Sequence, residues 1–116
     1  MNQLSQTKVV TISGSERALT AQEIDELLQQ VPGWKVIDQD GEKRLVRSYS
    51  FENFSRALAF TDRVGQLAEQ EDHHPSLLTE WGKVTVTWWT HKIRGLHQND
   101  FIMAAKTQDT FEQKSF

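Results

Sequence analysis

Three histidines carry the chemistry that this sequence could perform. His73 and His74 are adjacent, follow the acids Glu69, Glu71 and Asp72, and are locked by Pro75, while His91 closes a β-prone run further on. An imidazole titrates at about pH 6.5 when unperturbed, so it both gives and takes protons near neutrality. Proton transfer to and from a small substrate is therefore the chemistry indicated, with Glu69 or Asp72 as candidate orienting groups. A zinc site is the competing reading, because three histidines and an aspartate satisfy that ion with one position open. Against it, adjacent histidines rarely aim at one metal, and the HExxH spacing is absent. Ser-His-Asp hydrolysis is weaker still, for want of a GxSxG-type nucleophile turn. His97 only precedes the last helix and reads as incidental.

The elements that must position these residues follow from periodicity and punctuation. Thr20-Ala21-Gln22-Glu23 fits a capping box, and Ile24, Leu27, Leu28 and Val31 form one apolar face before Pro32-Gly33 ends the helix. Strands are expected at Trp34 to Ile37 and Arg44 to Phe51, joined through Asp40-Gly41. Phe54, Ala57, Leu58, Thr61, Val64, Leu67 and Ala68 recur at three and four, which predicts a long helix from about Asn53 to Glu71. Pro75 is expected to halt it, because the residue before a proline is pushed out of helical geometry. Leu77 to Trp81 and Val84 to Thr90 read as a second hairpin about Gly82-Lys83, whose outer ends bring the neighbours of Pro75 level with Thr90 and His91. A last helix follows Gly95, with Asp100 near its positive N-terminus. The order helix, strand, strand, helix, strand, strand, helix implies an α+β domain: an antiparallel sheet with helices on one face. Residues 1–19 read as an N-terminal extension, a candidate mobile segment with one short β-prone run at Val9 to Ile12, and 20–116 as the single domain.

Bulk properties exclude several classes. At 116 residues the chain has length for one core and not two, and its 37% hydrophobic content with four Trp and six Phe suits a folded domain. A net charge of −3, an isoelectric point near 5.8 and no Lys/Arg cluster leave no footprint for a nucleic-acid backbone. Without cysteine there is no disulfide framework, thiolate metal site or thiol nucleophile. No secretory signal or membrane-length apolar run is evident, so a cytoplasmic location is expected.

The residues also carry a resemblance. Glu69-Gln70-Glu71-Asp72-His73-His74-Pro75, then Trp81-Gly82-Lys83-Val84 leading to Thr90-His91, then Gly95-Leu96 and Asp100 before Met103-Ala104, resemble the pterin-4a-carbinolamine dehydratases, especially the bacterial, phenylalanine-hydroxylase-associated type. The resemblance extends back through Phe51 to Ala68 and does not include the first twenty residues. It implies a four-stranded antiparallel sheet with three helices on one face. It implies dehydration of 4a-hydroxytetrahydrobiopterin to quinonoid dihydropterin, recycling the cofactor of aromatic amino acid hydroxylases, with the pterin as substrate and neither metal nor other cofactor. His73, His74 and His91 would divide anchoring and proton transfer, with Glu69 and Asp100 completing the catalytic set by orienting the imidazoles or helping the transfer. Asp72, Pro75, Leu77, Trp89, Thr90 and Lys92 would line the pterin site. Homodimers or homotetramers are implied, with a functional link to a hydroxylase. The alternative is a non-catalytic partner, either a dimerisation cofactor or a regulator of phenylalanine hydroxylase expression. Where animal members carry a tryptophan two residues after the His-His-Pro triplet this chain has Leu77, and Ser76 replaces an acid, which directs attention to the pocket wall and to the pterin side chain.

Overall fold

The computed structural model describes residues 3–113. Helix α1 (Ala21–Leu28) begins with the reciprocal cap expected of its sequence. Thr20 Oγ1 accepts from the Glu23 amide at 3.2 Å, and Glu23 Oε1 accepts from the Thr20 amide at 2.8 Å. Strands β1 (Lys35–Gln39) and β2 (Glu42–Ser50) pair antiparallel about Asp40-Gly41, where both turn residues adopt positive φ. Helix α2 (Phe54–Glu71) is capped by Asn53, whose Oδ1 accepts from the Arg56 amide at 2.9 Å. Strands β3 (Ser76–Glu80) and β4 (Lys83–Trp88) form the second hairpin, turning at Trp81-Gly82 rather than at Gly82-Lys83, and helix α3 spans Gln98–Gln113.

The sheet order is β1-β2-β4-β3, all antiparallel, with three helices on one face. Alternation assigns the two faces. Val84, Val86 and Trp88 of β4 and Leu45 and Tyr49 of β2 are buried, with Phe60, Val64 and Ala68 of α2 and Phe101 and Met103 of α3 in the same core. Tyr49, Phe60 and Phe111 pack ring on ring at centroid distances of 4.6 to 5.8 Å.

Two departures from the sequence expectation bear on the site. The long helix ends before Pro75 acts. Asp72 takes the left-handed conformation, φ 54° and ψ 43°, and the His73 amide donates back to Ala68 O at 3.2 Å, a six-residue closure of the helix end. His73 thus leaves α2 in a fixed direction, and Pro75 serves instead as the lead-in to β3. The second departure is at β4, which stops at Trp88. Thr90 pairs in isolation with Gly95, and His91–Ile93 form a 3₁₀ turn, so His91 stands on that turn rather than at a strand end.

Helix α3 is buried without interruption from Asn99 to Ala105, which demands cover on both sides. The sheet and α2 supply one side. N-terminal residues supply the other: Leu4 is in the core, Lys106 Nζ donates to Ser5 O at 2.9 Å, and Asn99 bonds the backbone of Val10.

Candidate active site

Four segments meet at one end of the sheet around a cavity of about 480 Å³, a volume suited to a small heterocyclic ligand. The turn after α2 contributes Glu71, Asp72, His73 and His74. The stretch after β4 contributes Trp89, Thr90, His91 and Lys92. Helix α3 contributes Asn99, and the N-terminal segment contributes Val9 to Ile12. The register explains the first convergence: Ser76 lies opposite Thr87, so the residues before β3 run alongside those after β4.

Asp100 organises the buried half. It is fully buried in the first turn of α3, and a buried carboxylate must be compensated by donors. Three surround it. His73 Nε2 lies 2.7 Å from Oδ1, while the Thr90 hydroxyl and the His97 amide donate to Oδ2 at 2.8 and 3.0 Å. With donors from Thr90 and the His97 amide on Oδ2, the carboxylate's matching role toward His73 is also to accept, which puts the ring N–H at Nε2 and leaves Nδ1 for other work. His73 is also held from below, since its ring stacks on buried Trp88 at 5.8 Å between centroids and 13° between planes. The Trp88 indole is fixed in turn by donation to Thr107 Oγ1 at 3.2 Å.

The wet half is built differently. His74 is 55% exposed, and its Nε2 bonds Glu69 Oε2, whose side chain is 78% exposed. A pair so open to water orients weakly, where the His73–Asp100 pair at 10% and 0% exposure orients firmly. His91 lines the cavity from its 3₁₀ turn and faces solvent.

Of the residues singled out from sequence, Asp72, His73, His74, Trp89, Thr90, His91 and Lys92 line this cavity together. Glu69 and Asp100 lie outside its wall, each behind one histidine. Pro75 and Leu77 do not reach it. Leu77 faces the helices and packs on the core, so the Leu77 departure noted above does not shape the cavity. His97 serves as a cap, its Nδ1 accepting from the Asn99 amide at 3.0 Å. Sequence reasoning missed Glu71, Asn99 and Val9 to Ile12 as wall residues. The β-prone run at Val9 to Ile12 was the available signal, although the segment forms no strand here. Among the described residues, no group of three or more His, Cys, Asp or Glu side chains is arranged to hold a metal ion.

The sequence model of the family described as Pterin 4 alpha carbinolamine dehydratase matches residues 17–110. A Chlorobium luteolum protein, provisionally named pterin-4-alpha-carbinolamine dehydratase, is 51% identical over 113 residues, covering 97% of this chain and 99% of its own. Among solved structures, a Brucella melitensis protein described as transcriptional coactivator/pterin dehydratase is similar at a TM-score of 0.72 and 34% identity, over 81% of this chain and 98% of that one. A pterin dehydratase-like RuBisCO assembly factor of the alpha-carboxysome shares the fold at a TM-score of 0.57 and 18% identity, over 68% of this chain and 89% of that one. With the family match spanning most of the chain and the histidine turn, the turn after β4 and Asp100 all inside it, this chain belongs to the pterin-4a-carbinolamine dehydratase family.

Proposed function

We propose that the protein dehydrates 4a-hydroxytetrahydrobiopterin to quinonoid dihydropterin and water, and so returns the cofactor of an aromatic amino acid hydroxylase. The observation that carries this reading is the meeting of three imidazoles on one cavity, one of them oriented by a buried carboxylate. In the reaction the C4a–O bond breaks as the hydroxyl receives a proton and leaves as water. The N5–H bond gives up its proton, and its electron pair forms the C4a=N5 double bond. One acid and one base on a single small ring are what neighbouring histidines supply, each held by one ring nitrogen with the other free to transfer.

The same reading makes the protein a cytoplasmic homodimer or homotetramer, for which β1 and β3 offer open sheet edges. A binding or regulatory role draws on the coactivator half of the Brucella protein's name and is compatible with catalysis. The test is decay of the carbinolamine formed by a phenylalanine hydroxylase, followed with and without the purified, chelator-treated protein. Faster decay with the protein supports the reading, and equal rates overturn it in favour of the partner role.

A further inference from the structure

The segment Val9–Ile12 lies outside the family match, yet four consecutive residues of it line the cavity. It is irregular in conformation and is fastened at two points. Asn99, only 1% exposed, accepts from the Val10 amide with Oδ1 at 3.0 Å and donates to the Val10 carbonyl with Nδ2 at 2.8 Å. One side-chain amide thereby satisfies both backbone groups of one residue, as a neighbouring strand would. The second clamp is Lys92, beside His91, whose Nζ donates to Ile12 O at 3.2 Å. Both anchors belong to the site: Asn99 is adjacent to Asp100, and Lys92 is on the turn that carries His91.

A structural role accounts for part of this arrangement, because Val9 packs against the core and the segment helps to cover α3. Val10 itself is 58% exposed, however, so the residue that the buried Asn99 amide holds on both sides is one that stays out of the core and on the cavity wall. What the clamp fixes is the path of the backbone past the cavity, with exposed Thr11 between the two fastened residues.

We propose that Val9–Ile12 is a wall of the substrate pocket that contacts the substituent of the bound pterin rather than its reacting atoms, and that Asn99 is its positioning residue. This rests on the carbinolamine reading above. Val-Val-Thr-Ile has no group that titrates near neutrality, so the wall acts on binding and on exclusion of water, not on proton transfer.

The test uses two variants in the full chain. Asn99→Ala releases the clamp, and Thr11→Trp keeps both fastenings while filling space at an exposed position. Steady-state rates are measured with carbinolamines bearing a 6-methyl or a 6-dihydroxypropyl group. Dissociation constants for 7,8-dihydropterin are read from tryptophan fluorescence, since Trp89 lines the cavity. Losing the paired hydrogen bonds is expected to raise KM about tenfold in Asn99→Ala, with kcat falling less. Thr11→Trp is expected to shift the ratio of kcat/KM toward the smaller substituent and to leave the thermal unfolding midpoint in place. If Asn99→Ala unfolds, Thr11→Trp decides. An active wild-type protein whose folded variants keep KM, dissociation constant and substituent preference overturns the wall. A wild-type protein that neither speeds the decay nor binds dihydropterin overturns the carbinolamine reading itself.

Discussion

The Thr90 hydroxyl donates to Asp100 Oδ2 at 2.8 Å, on the same carboxylate whose Oδ1 holds His73. Strand-side and helix-side elements are therefore joined through one buried acid. Asp100→Asn keeps the shape and breaks the pattern, because its NH2 group leaves Thr90 and the His97 amide unpaired when it faces them and forces His73 into the other tautomer when it faces that ring. A donor left unpaired in the interior costs about 1–3 kcal/mol, and a histidine freed from its carboxylate loses its fixed tautomer. Loss of roughly 100-fold in kcat is expected, within the range for general acid–base groups, together with a lower unfolding midpoint. Carbinolamine kinetics and thermal denaturation measure the two separately.

The two carboxylate–histidine pairs are expected to be unequal. His73→Ala, His74→Ala and His91→Ala should each lower kcat by about 100- to 10,000-fold if the ring moves a proton. Glu69→Gln should cost less than about tenfold, because even a fully charged pair as exposed as Glu69 and His74 is worth only about 0–1 kcal/mol. A Glu69→Gln loss as deep as that of His74→Ala would show that Glu69 takes part in the transfer itself.

Asp72 combines a backbone role with a place on the cavity wall, and one substitution separates them. Its φ of 54° is a conformation that costs a residue with a Cβ about 1–2 kcal/mol, somewhat less for aspartate. Asp72→Gly relieves that strain and gives back part of the gain through a freer unfolded chain, for a net stabilisation of about 0.5 kcal/mol. A small rise in unfolding midpoint with a higher KM is expected. Unchanged KM would show that the carboxylate does not touch the substrate.

Fold and site were legible in the sequence to different depths, for physical reasons. Periodicities of 3.6 and 2 are local, so the Thr20 capping box, the α2 face and the alternation of Val84, Val86 and Trp88 could be read directly. The stop after α2 was legible as a stop but not as a geometry. Pro75 is the visible breaker, whereas the chain turns at Asp72, whose tolerance of positive φ is a weaker signal. The least legible contacts are those between Asn99 and Val10, which join residues 89 apart in sequence. Their trace was indirect: Phe101 to Ala105 is an unbroken apolar run with no wet face, and such a helix needs a second cover from elsewhere in the chain.

The chain that leads from that cover into α1 carries two acids whose behaviour with pH is opposite in sense to a histidine switch. Glu16 lies at the turn after the Val9–Ile12 wall. Its carboxyl is held down to about 2 by the Ser13 amide and, after it, the Glu16 and Gly14 amides. Glu23 is held to about 2 by the Arg17 guanidinium, then by the Thr20 amide. Both values are lowered on folding, so the stability they contribute is present above the ordinary carboxylate range. It is lost as pH falls from about 4.5 through about 2. No change in the N-terminal segment is therefore expected between pH 5 and pH 8 from these groups, a window described by about 6.5 for histidine instead. Amide resonances of Ser13, Gly14 and Thr20 followed by NMR should stay fixed across that window and shift together with acid below it. The Glu16→Gln variant should lose the acid-dependent shift at Ser13 and Gly14 alone, leaving that at Thr20, because Glu16 and Glu23 bind separate sets of donors.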